Sequence, residues 1–115
     1  MLITRKEKGE VEYYFIHFLE RNDEKYRKNI YDMRMFNVIE KVIKFYGKDK
    51  EKSQFIRKYL IGRNVWQDAY FKLHIERRTF FQWKDEILSD AVIIAVKENL
   101  IKLAFGDIDD ESAAL

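Results

Sequence analysis

Residues 59–88 read YLIGRNVWQDAYFKLHIERRTFFQWKDEIL, and the reading of the whole chain turns on them. Gly62 closes one helix, because a residue without a Cβ readily takes the left-handed conformation that ends helices. Val65, Ala69 and Leu73 then recur every four positions, the spacing of a short amphipathic helix over 65–73. A tight turn follows, with Ile75 as the apolar plug between helices. The next helix opens with Arg77 and Arg78, and Phe80, Trp83 and Ile87 fall at i, i+3 and i+7 on one inward face. Two helices in this order, joined by a short turn, have the layout of a helix-turn-helix over about 64–88. In that motif the first helix braces the second, which enters the major groove by its N-terminal turns.

The rest of the chain is helical by the same period. Val11, Tyr14, Phe15 and Phe18 form one stripe, predicting a first helix over 10–21. Asn22 and Asp23 are caps for a second helix over about 24–46, with Tyr31, Met35, Val38, Ile39, Val42, Phe45 and Tyr46 inward. A third helix spans about 50–61, with Phe55, Ile56, Tyr59 and Leu60 inward. Beyond the helix that opens at Arg77, a sixth or a continuous one runs over 89–105. The chain has no proline and four glycines, and no segment alternates strictly over strand length. The expected fold is therefore all-α: a single helical domain of five to six helices over 1–106, followed by an acidic tail over 107–115.

Composition bounds the function. Of 115 residues, 47% are apolar and 16% aromatic, which argues for a folded core rather than disorder. There is no cysteine, so disulfides and thiolate metal sites are excluded, and a reducing compartment fits. The opening MLITRKEKGE has no apolar run of the kind a signal peptide needs. The longest apolar run, 91–96, is too short to span a bilayer. A soluble cytoplasmic protein without a membrane partner is expected. The net charge is +2, but the final nine residues hold four acids and no base, leaving 22 bases against 16 acids, or +6, in the body. A basic body with an acidic tail suits a partner that carries phosphates.

The exposed residues of the 77–88 helix suit groove reading. Arginine binds guanine through two hydrogen bonds, and glutamine does the same to adenine. Arg77, Arg78 and Gln82 are therefore the expected base readers, with Phe81 placed to touch a thymine methyl. Lys84, Arg63 and Lys72 are expected on phosphates, which position a protein without reading sequence. Asp85 lies on the flank of the same helix and Glu76 at its start. Cations at a helix N-terminus face the positive end of the dipole, a cost that a phosphate or a base acceptor relieves. The bland alternative is a solvated pair of arginines on an ordinary helix.

These residues resemble a known group. LHIERRTFFQWKDEIL is similar to the "L-x-I-S-x-x-T-hydrophobic-aromatic-x-W/Y-K" signature of the ArpU and RinA families, phage-encoded transcriptional regulators of Gram-positive bacteria. The matching positions are Leu73, Ile75, Arg78, Thr79, Phe80, Phe81, Trp83 and Lys84. Upstream, Tyr59, Leu60, Gly62 and Trp66 resemble the "Y-L-x-G-x-x-W" lead-in. The resemblance covers about residues 55–90. It implies a helix-turn-helix like that of the sigma-factor domain that reads the −35 promoter element, and late-gene control in a phage or prophage within a bacterial host. Two positions depart from the pattern. Glu76 stands where serine usually caps the helix, and His74 stands where glycine or asparagine often takes a left-handed turn.

Other chemistry is weaker. His17 and His74 are the only histidines and lie 57 positions apart, against the several convergent ligands a zinc site needs. Each glycine stands alone, so there is no phosphate loop. The tail DIDDES lacks the glycine at position six and the glutamate at position twelve of a calcium loop. No nucleophile–base set can be named; neither enzyme activity nor a cofactor is expected. The stretch AVIIAVKENLIKLAF, apolar nearly all round at its start, is the candidate homodimer surface over 89–105, and the acidic tail is the candidate contact for RNA polymerase. Double-stranded DNA is the leading partner. A helical protein–protein adaptor and a small-terminase-like DNA-packaging protein are the alternative functions.

Overall fold

The computed structural model describes residues 3–62 and 73–103. Within them the chain is all-α, with no strand. Three helices carry the architecture: α1 (Arg5–Ile16), α3 (Ile30–Phe45) and α5 (Arg77–Lys97). A short α2 (Glu24–Arg27) packs on α3, and α4 (Lys50–Phe55) continues into a π turn over Ile56–Leu60. α5 runs antiparallel to α3: Tyr46 meets Asp90 and Lys41 meets Glu98. α1 packs on both long helices.

The helix limits differ from the periodicity in four places. α1 begins five residues early because Thr4 and Glu7 form a capping box: the Thr4 backbone N–H donates to Glu7 Oε1 at 3.1 Å, and the Thr4 hydroxyl donates to the same carboxylate. Those bonds hold the Glu7 carboxyl below its usual range. α1 then stops at Ile16, and Phe18–Glu20 forms a 3₁₀ turn. The expected helix over 24–46 is broken at Asn29, whose side chain accepts from the Asp32 N–H at 3.1 Å and caps α3. The segment from Arg77 is one continuous helix of 21 residues, and it ends well before residue 105 because Asn99 turns left-handed at φ 60°. Gly62 has φ 89°, as its place at a helix end requires.

The core holds two aromatic clusters, one where Phe36 meets Tyr14 and Tyr26 at 5.0 and 5.1 Å and one around Phe80, with aliphatic packing besides. Phe55 lies edge-on to Phe80 with ring centroids 5.0 Å apart, and Tyr59 meets the same Phe80 ring at 6.1 Å. Val38, Ile39 and Val42 of α3 and Ile87, Ala91, Val92 and Ala95 of α5 belong to the same buried cluster. Within the apolar run over 91–96, Ile93, Ile94 and Val96 are half-buried. Phe45, expected inward, is instead 71% exposed. It is the last residue of α3, and its neighbour Tyr46 takes the buried place there.

Polar groups tie the helices together. Tyr14 donates its hydroxyl to Asp32 at 2.6 Å, Tyr31 to Glu10 and Tyr46 to Asp90. All three phenols titrate above their ordinary range, first because burial disfavours the phenolate and then because each faces a carboxylate. The neutral phenol is thus favoured by folding, so its contribution is complete below about pH 10 and lost as pH rises beyond. We expect equilibrium stability in urea to fall above about pH 10, and the Tyr46→Phe variant to fall less steeply there. Equal slopes for the two proteins would show that the Tyr46–Asp90 bond carries no such linkage. Separately, Phe80→Ala should cost about 3–5 kcal/mol in urea, whereas Phe45→Ala should stay within about 0.5 kcal/mol.

Candidate nucleic-acid interface

The N-terminal half of α5 has two unlike sides. Phe80 and Ile87 are buried, and Trp83 is half-buried with its ring 5.7 Å from Phe55. Arg77, Arg78, Phe81 and Gln82 are exposed. Arg78 and Gln82 are four residues apart, and so share one outward side a turn apart. The Arg77 guanidinium lies 5.7 Å from the centroid of the Phe81 ring, which is 44% exposed. A cation–π contact of this kind holds an arginine head against an aromatic face.

The segment just before α5 is described from Leu73 onward. His74 is left-handed at φ 55°, Ile75 is buried at 6% exposure, and Leu73 packs on the core. His74 carries the cost of a side chain at a position glycine fills more easily. Glu76 is the N-cap residue with extended backbone angles, and its side chain makes no capping bond. The first turn of α5 contains no acidic residue, so nothing within that turn offsets the dipole beside Arg77 and Arg78.

Lys84 and Asp85 are placed differently from Arg77, Arg78 and Gln82. The Lys84 ammonium is 2.7 Å from Glu12, and Lys8 pairs with Asp85. Both pairs join α5 to α1, so these two side chains line the flank where α5 meets its neighbour. The helix expected over 10–21 leaves Lys8 outside it, although Thr4 and Glu7 have the spacing of a capping box that moves the helix start upstream. Nothing in the periodicity pairs Lys8 or Glu12 with α5. Arg63, Lys72 and the expected helix over 65–73 lie outside the described residues, apart from Leu73. The structure therefore brings together Arg77, Arg78, Phe81 and Gln82, with Glu76 at the helix start and Lys84 and Asp85 on the flank.

Among the described residues, no group of three or more histidines and carboxylates is arranged to hold a metal ion. No helix among them is long and apolar enough to cross a membrane. Compared with family models, characterised proteins and solved structures, the chain matches none.

The α1–α5 pairs generate a prediction about Lys84. Both partners are about 30% exposed, so the pair is screened and worth little more than about 1 kcal/mol. A double-mutant cycle of Lys84→Ala and Glu12→Ala in urea should give a coupling of about 0.3–1 kcal/mol. No coupling would leave the Lys84 ammonium disposable for a ligand.

Proposed function

We propose that this chain is a sequence-specific double-stranded DNA-binding protein that regulates transcription, of the phage or prophage kind its sequence resembles. The carrying observation is the two-sided start of α5: Phe80 and Ile87 are buried while Arg77, Arg78, Phe81 and Gln82 are exposed together. A helix fixed by its inner face and bearing two guanidiniums and an amide on its outer side offers donors in the forms that guanine and adenine edges accept. Phosphates at the same end would meet the positive end of the helix dipole. The basic body of the chain adds a sequence-independent attraction to the duplex.

The roles follow from position. Arg78 and Gln82 share the outward side and are the proposed base readers. Arg77, steadied over Phe81, is the proposed partner of a base edge or of a phosphate beside it, and Phe81 offers apolar contact to a thymine methyl. Lys84 contributes positive charge at the flank while paired with Glu12. The adaptor reading draws its support from elsewhere on the surface, where Leu19, Ile30 and Phe45 are each more than 70% exposed. Phe45 also borders Ile93 and Ile94, within the stretch proposed as a homodimer surface.

Duplex binding by the wild type and by Arg77→Ala/Arg78→Ala, measured at two salt concentrations on a pool of random duplexes, separates these readings. A reader of DNA should lose about 1–3 kcal/mol for each specific base contact removed, and its affinity should fall steeply as salt rises. A wild type that selects no duplex from the pool would overturn the proposal in favour of the adaptor.

A further inference from the structure

A second charged surface includes Glu98, at the opposite end of α5 from Arg77. Two adjoining depressions run along the outward side of α3. One is lined by Arg34, Asn37, Glu40, Lys41, Lys44 and Glu98. The other shares Asn37 and Glu40 and continues to Arg21, Arg27, Met33 and Phe36. Glu98 follows the last residue of α5, 21 positions beyond Arg77, and at 1.5 Å per residue that is about 30 Å along the helix axis. The trough and the proposed reading end are therefore distinct surfaces.

Its charge is one-sided. Five bases, Arg21, Arg27, Arg34, Lys41 and Lys44, stand against two acids, Glu40 and Glu98. Glu98 is matched within the trough: Lys41 pairs with its carboxylate at 2.5 Å, and Arg34 donates to its carbonyl at 3.3 Å. Arg21 lies over the Phe18 ring at 4.1 Å and donates to the Phe18 carbonyl. That leaves a cationic strip with an apolar patch at one end, where Met33 is 47% exposed above buried Phe36.

We propose that the acidic segment of this same chain, DIDDE at 107–111, docks in this trough. Its four carboxylates complement the net positive charge of the strip, and Ile108 supplies an apolar side chain for the Met33 patch. The reach is sufficient. Leu103, the last described residue, is five positions beyond Glu98, which itself lines the trough. At about 3.6 Å per extended residue, Leu103 is no more than about 18 Å from Glu98, and Glu111 can extend about 29 Å from Leu103. The docked tail covers the cationic face that would otherwise attract any polyanion, so the start of α5 remains the exposed basic end. The inference does not rest on what α5 reads.

The chain contains no cysteine, so Ser112→Cys gives a single site for a nitroxide label. In the full-length chain without DNA, the label should broaden the amide signals of Arg34, Asn37, Lys41 and Lys44 at low salt. The broadening should vanish near 1 M salt, where the Debye length is about 3 Å, and also when the tail carries D107N, D109N, D110N and E111Q. The unlabelled tail variant should shift the same amide signals relative to wild type. Broadening centred on Arg77 and Arg78 would place the tail on the reading end and overturn the proposal. Broadening nowhere would overturn it too, as would broadening that arises only between molecules in a mixture of labelled and isotope-enriched chains.

Discussion

The orientation of α5 rests on one aromatic junction. Phe80 is held between Phe55 and Tyr59, with Trp83 closing on Phe55 from the next turn. A helix has a single rotational setting in which those rings are inside, and that setting turns Arg78 and Gln82 outward. The donors therefore owe their exposure to apolar packing on the opposite side, not to any polar bond of their own. Edge-to-face rings fix that setting more sharply than aliphatic chains, because their contacts favour particular mutual angles. The buried Ile75 and left-handed His74 fix the point at which the chain enters the helix.

Charge is distributed in two different ways over this frame. Between α1, α3 and α5, carboxylates meet tyrosine hydroxyls or lysines, and the bonds serve cohesion. At the start of α5 and along α3, bases outnumber acids, an imbalance of charge that a polyanionic partner can offset. The proposed reading end and the proposed tail site are both surplus of this kind. They differ in shape: one is the end of a rigid helix, and the other is a trough that an extended segment fits.

Much of this was legible in the sequence. The i, i+3, i+7 pattern of Phe80, Trp83 and Ile87 assigned the inner side of α5, and the residues between them fell outside as the spacing required. Gly62 marked its turn, and Glu76, standing where a capping serine is usual, makes no capping bond with its side chain. What periodicity missed was interruption. Asn29 breaks a stripe that continues on both sides of it, because a side chain that caps a backbone N–H ends one helix and begins another without disturbing the apolar pattern. The exposure of Phe45 was invisible because its i+3 spacing from Val42 fits the stripe as well as the i+4 spacing of Tyr46, and it is Tyr46 that is buried against α5. The Lys84–Glu12 and Lys8–Asp85 pairs could not be read at all, since they join residues more than 70 positions apart.

Those two pairs have opposite polarity: the base comes from α1 in one and from α5 in the other. Sliding α1 along α5 by one turn would carry Glu12 toward Asp85, setting carboxylate against carboxylate. Aliphatic surfaces tolerate such a slip, because one apolar ridge resembles the next. The crossed signs oppose it, each pair by no more than about 1 kcal/mol. They bias α1 and α5 toward one alignment among those the apolar surfaces allow.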